Sequence, residues 1–98
     1  MRPVLHGDVS AAARLLLGTQ ADQRNRLCRN LIREADSADR HLQRTGRVHP
    51  ALGNGSLMSA ARKRVLPDEP GFDDIEYCRC FEIVMRCLID HEISRMHS

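Results

Sequence analysis

Arg47 and His49 lead into Gly53-Asn54-Gly55-Ser56, and that run could do anion-binding chemistry. Open backbone amides at the start of a helix attract negative charge, and glycines let a ligand come close to them. Arg44, Arg47 and His49 would then contribute charge beside Asn54, Gly55 and Ser56. The spacing is not that of a P-loop, because no Gly-Lys-Ser/Thr follows and no strand pattern precedes it. A plainer account is favoured: Gly46, Gly53 and Gly55 supply positive φ, while Asn54 or Ser56 caps the helix that follows.

Asp39 is the second chemically suggestive residue. It falls at the edge of an apolar helical stripe, where an unpartnered carboxylate is costly. Either it accepts hydrogen bonds from the following loop or His49 and so orients that loop, or Asp39 and His49 form an acid–base pair. No candidate nucleophile accompanies the pair, so the orienting role is favoured and no catalytic residue is assigned. A third set, Arg26, Arg29, Arg33, Arg40 and Arg44, lies within about 60° on one helix face over about 27 Å. Such a ridge could track nucleic-acid phosphates. Asp22 and Asp36, each four residues before an arginine of the set, would answer part of that charge. Cys80, Cys87 and His91 share one side of another helical pattern, and Cys87 with His91 has a spacing suited to a shared metal. That side also carries Val84 and Leu88, so the cysteines read as small core residues and no metal is assigned.

These residues need helices to position them. Asp8 is placed as the N-cap of a short helix ending at Leu17-Gly18, with Val9, Ala12, Ala13, Leu16 and Leu17 on one side. Thr19 is placed as the cap of a second helix running to about Arg44, with Asp22 completing a weak capping box. Leu27, Leu31, Ala35, Ala38 and Leu42 make its buried stripe, and Gly46 follows its end. A third helix starts at 54–56, carries Leu57, Met58, Ala60, Ala61 and Val65, and meets Pro67 and Pro70. The last is capped by Asp73 or Asp74 and reaches about Ser94. It is apolar over more than half its circumference, with Glu76, Arg79, Glu82, Arg86 and Asp90 in one strip, which predicts the most buried element. The expected fold is all-α: four helices forming a single domain over residues 1–98, with a structured glycine-rich loop between the second and third.

At 98 residues, with Phe72, Tyr77 and Phe81 as the only aromatics and no Trp, the core must be aliphatic. No apolar run is long enough for a membrane span, and the N-terminus lacks a signal pattern, so a cytoplasmic setting with reduced cysteines is expected. The net charge of +2 hides a gradient: residues 1–65 hold twelve Arg or Lys against five acids, and the remainder three against eight. That asymmetry suits an acidic partner for the first part, or mutual neutralisation of the two.

Glu34-Ala-Asp-Ser-Ala-Asp39, Thr45-Gly-Arg47, His49-Pro50 and Gly53-Asn-Gly-Ser-Leu-Met58 together resemble a group of short alphaproteobacterial proteins without an assigned function. The resemblance spans essentially the whole chain, its motif lying in residues 34–58. It implies a bacterial cytoplasmic setting and carries over no activity, cofactor or catalytic residue. The expected function is a non-catalytic binding or regulatory module that holds a protein partner with the 45–58 loop and the arginine face. No cofactor and no membrane contact are expected, and the oligomeric state stays open. Nucleic-acid binding through the five arginines is the first alternative. A small-anion or nucleotide site at the start of the third helix is the second.

Overall fold

The computed structural model describes residues 1–97. Four α-helices follow in order: α1 (His6–Leu17), α2 (Arg24–Thr45), α3 (Leu57–Arg62) and α4 (Ile75–Met96). A single 3-10 turn, Ala21–Gln23, leads into α2. No strand forms among the described residues, and no helix there is long and apolar enough to cross a membrane.

The centre of the molecule is α1, not α4. Seven of its twelve residues are buried, against four of twenty-two in α4. Ala11, Ala12 and Ala13 are small enough to let neighbouring helices come close, and Leu16 is fully enclosed. The expected buried stripe of α2 forms at Leu31, Ala35 and Ala38, with Cys28 and Ile32 beside it; Leu27 and Leu42 lie at its half-buried margins. Leu57, Ala60 and Ala61 of α3 complete the core. From α4 only Tyr77, Cys80, Val84 and Cys87 reach full burial, because it has neighbours on one side alone. Val65, expected on the apolar side of α3, stands in solvent three residues past that helix's end.

Local capping chemistry decides several boundaries. Gly46 has φ 73° and its amide donates to the Leu42 carbonyl at 2.7 Å, closing α2. Ser56 Oγ accepts from the Ser59 amide at 3.0 Å, and Asp74 Oδ1 from the Tyr77 amide at 3.0 Å. Thr19 does not cap α2; its hydroxyl turns back to the Leu15 carbonyl at 2.9 Å. Arg24 makes that junction instead. Its buried guanidinium donates from Nε to the Leu16 and Thr19 carbonyls, at 2.8 and 3.1 Å, and from a terminal nitrogen to Glu76 at 2.8 Å. One side chain thus satisfies the end of α1 and fixes α2 against the start of α4.

Asp8 is not the N-cap of α1 either. Leu5 holds that position, and Asp8 sits three residues later, buried. Its Oδ2 accepts from the Leu5 amide at 2.9 Å, while Oδ1 accepts from the Met58 amide in α3, also at 2.9 Å. A carboxylate shared by two helix starts suits both positive dipole ends. Glu34 makes the complementary link from α2, meeting Lys63 at 2.6 Å and Arg64 at 2.9 Å. Burial pushes the Glu34 carboxyl up, but hydrogen bonds from Arg64 and Lys63 outweigh it and hold its pKa below the ordinary value.

Two outcomes follow from these links. Asp8→Ala should lower unfolding free energy by about 3 kcal/mol, since it leaves the Met58 amide without an acceptor. Asp8→Asn, which keeps a carbonyl oxygen, should lose less; urea denaturation measures both. The Glu34 pKa is depressed in the folded state, so its contribution is full above the unfolded value and fades as pH falls through the folded one. Glu34→Gln should therefore be about 1 kcal/mol less stable near neutral pH. Denaturation repeated at falling pH should show the gap to the unsubstituted chain closing in the acid range.

Candidate anion-binding cleft

The connection from α2 to α3 is held by its own polar groups. The Thr45 hydroxyl donates to the His41 carbonyl at 2.8 Å, and its oxygen lies 3.1 Å from the Arg47 amide as acceptor. His49 Nδ1 accepts from the amides of Ala51 and Leu52, at 3.0 and 2.9 Å. With Nδ1 occupied as an acceptor, Nε2 is the ring's donor. The His49 carbonyl accepts from the Gly53 amide at 3.3 Å. Gly55 has φ 94°, and a Cβ there would lie 2.8 Å from the Asp39 Cα, so only glycine lets the loop backbone rest on α2.

That packing occupies the Asn54 and Ser56 amides of the proposed ligand run. The Asn54 amide donates to Ser59 Oγ at 3.3 Å, the Ser56 amide to Asn54 Oδ1 at 3.0 Å, and the Gly55 carbonyl accepts from the Arg2 amide at 2.8 Å. With the Ser59 amide on Ser56 and the Met58 amide on Asp8, the negative charge at the start of α3 is the protein's own carboxylate. Asn54 and Ser56 thus hold the loop together, and the Gly55 backbone rests on α2. Asp39 touches the loop through its backbone, and its carboxylate goes elsewhere: to Gln43 Nε2 at 3.1 Å and the N-terminal ammonium at 3.3 Å. Its expected bond to His49 or to loop amides does not form; His49 instead meets the edge of the His41 ring, centroids 4.8 Å apart.

A different constellation emerges. Ser37, Arg40, His41 and Arg44 from α2 and His49 from the loop line an open cleft of about 320 Å³. On α2 the four occupy positions i, i+3, i+4 and i+7, so the helix repeat brings them onto one face. All five side chains are polar, and none is a carboxylate. Among the described residues Arg40 makes only a long contact from Nε to the Asp36 carbonyl, 3.5 Å. Arg44 has no hydrogen bond or ion pair among the described residues. Arg44 and His49 of the expected set thus meet here with Arg40, while Arg47 is exposed outside the lining. Ser37 and His41 were not singled out in the sequence, although their spacing from Arg44 is the signal that finds them.

Among the described residues the expected ion pairs along the arginine face do not form. Asp36 directs its carboxylate to the N-terminal ammonium, at 2.5 Å, and to His91 Nε2 at 3.3 Å rather than to Arg40. Among the described residues Asp22 forms no ion pair with Arg26. Arg33 is occupied only by Asn30, at 2.6 Å. All five arginines are exposed.

The cysteine set resolves as packing. Cys28 and Cys87 are buried beside one another, and burial together with the neighbouring Cys87 pushes the Cys28 thiol far up. Burial likewise raises the Cys80 thiol. Cys87 and His91 share a groove with Arg29, Arg33 and Asp90, where the two guanidiniums outnumber the one carboxylate and oppose a metal ion. Among the described residues no group of three His, Cys, Asp or Glu side chains is placed to hold one.

No curated protein and no solved structure matches the chain. One family model does match, over residues 2–88, which takes in α1 to α3, the cleft and more than half of α4. The chain belongs to that family, described as Domain of unknown function (DUF7742).

Proposed function

We propose that the protein is a non-catalytic binding module whose Arg40–Arg44–His41–His49 cleft grips an anionic group, carboxylate or phosphate, displayed by a protein partner. The observation that carries this is the cleft's composition: two guanidiniums, two imidazoles and a hydroxyl with no internal carboxylate among them. A guanidinium presents a planar fork of donors that matches such an anion, and a cleft positions it better than a flat face does. Arg47, exposed on the rim of the same loop, would reach a longer partner. A bacterial cytoplasmic setting, implied by the motif's resemblance, belongs to the same proposal.

A second reading has its own support. None of Arg26, Arg29, Arg33, Arg40 and Arg44 is paired with a carboxylate among the described residues, so the ridge is free to meet phosphates of a nucleic acid. Against it, the three aromatic side chains that could stack on bases are clustered together elsewhere, Phe72, Tyr77 and Phe81 packing on each other.

Fluorescence titration with a labelled Glu-rich peptide, its phosphoserine counterpart and a short DNA duplex separates the two. A protein-partner cleft predicts that Arg40→Ala/Arg44→Ala weakens peptide binding at least tenfold, about 1.4 kcal/mol. Arg26→Ala/Arg29→Ala should leave peptide binding nearly unchanged. Equal losses from both double variants, with duplex binding that falls steeply as salt rises, would favour the nucleic-acid ridge. No peptide binding above that of the Arg40→Ala/Arg44→Ala variant would dismiss the cleft.

A further inference from the structure

Helix α4 turns its second apolar face outward. Opposite Tyr77, Cys80, Val84 and Cys87, the side chains of Ile75, Met85, Ile89, Ile93 and Met96 are 48–79% exposed. Scattered apolar residues are ordinary on a surface, but Met85, Ile89, Ile93 and Met96 follow one another on one helix face with Ile75 farther along it, and such a row marks an interaction site. Its length, from residue 75 to 96, is about 32 Å at the rise of an α-helix.

The charges set into this stripe specify what covers it. Along the helix they read Arg79, Glu82, Arg86, Asp90, alternating positive and negative; all four are exposed, Asp90 at the edge nearest Arg29 and Arg33 of α2. Apart from a 3.8 Å approach of Arg79 to Glu76, none forms an ion pair among the described residues. Reversing the direction of the helix reverses every sign. Laid antiparallel on a copy of itself about a two-fold axis near residue 84, Arg79 meets Asp90 of the second copy, and Glu82 meets Arg86. The same register sets Ile75 against Ile93 and puts Met85 one residue from the axis, about 3 Å along the helix from its counterpart. A parallel arrangement would instead oppose Glu82 to Glu82 and Arg86 to Arg86, which is repulsive.

We propose that the outer face of α4 is a homodimer interface, two copies packing antiparallel through this self-complementary stripe. The interface is isologous, the closed arrangement that a two-fold axis requires. It lies on a different helix from the cleft and stands whether or not the cleft binds anions. Ion pairs at its margin set direction and register, and the isoleucines and methionines contribute most of the affinity.

Sedimentation equilibrium over a concentration series reads the result directly. The full chain should move from 11.1 kDa toward twice that mass. Ile89→Glu should remain monomeric, and because that side chain is exposed, its circular dichroism should stay that of the parent and its melting should match the parent's at concentrations too low for dimer. Glu82→Arg alone and Arg86→Glu alone should each raise the dimer dissociation constant tenfold or more. The double variant Glu82→Arg/Arg86→Glu should bring it back to within about threefold of the parent, because the opposed signs are restored in trans. A chain that stays monomeric up to about 1 mM, a dimer indifferent to Ile89→Glu, or single reversals not rescued by the double each overturns the proposal.

Discussion

Two helices begin on one carboxylate. Asp8 takes the Leu5 amide with one oxygen and the Met58 amide with the other, across fifty residues of sequence. Each amide belongs to the set that an α-helix leaves without an internal partner, and each lies at a positive dipole end. This bond fixes where the six-residue α3 sits, and α3 is far too short to hold its own shape. Once α3 is placed, the loop before it has its far end anchored. Gly55 then lands on the backbone of Asp39, and His49 is delivered to His41.

The cleft is therefore a consequence of packing on the opposite side of the loop. Its four α2 residues are preset by the helix repeat, whereas its fifth, His49, is preset by two amides bound at Nδ1 and by the glycine contact beneath it. Rigid placement of His49 would remove part of the entropic cost of gathering donors around an anion, were one to bind there. Glu34 and Glu76 neutralise Lys63, Arg64 and Arg24 at helix junctions, and among the described residues no carboxylate is ion-paired with the five arginines of the α2 face.

What could be read from the residues was local. Gly46, Ser56 and Asp74 act within a few positions of themselves, and each does what its type and place imply. The all-helical class and the α2 stripe follow from periodicity of the same short range. Asp8 and Arg24 escaped because their partners lie elsewhere in the chain, so a buried carboxylate looked like a simple cap and Arg24 like surface. Helix α4 misled for another reason. Its apolar circumference was legible, but nothing in a sequence counts the neighbours available to cover it. The cleft was half legible: Arg44 and His49 stood out, while Ser37 and His41 needed the loop's actual landing point to gain meaning.

The aromatic cluster has an optical consequence. Tyr77 is the chain's one tyrosine and there is no tryptophan, so its emission comes from a single ring. That ring is enclosed, stacked on Phe72 at 5.5 Å, and its hydroxyl donates to Glu69 at 3.0 Å, an acceptor that quenches the excited phenol. Intrinsic fluorescence therefore watches the junction of α4 with the segment before it and is nearly blind to events at His49, at the other end of the connected helices.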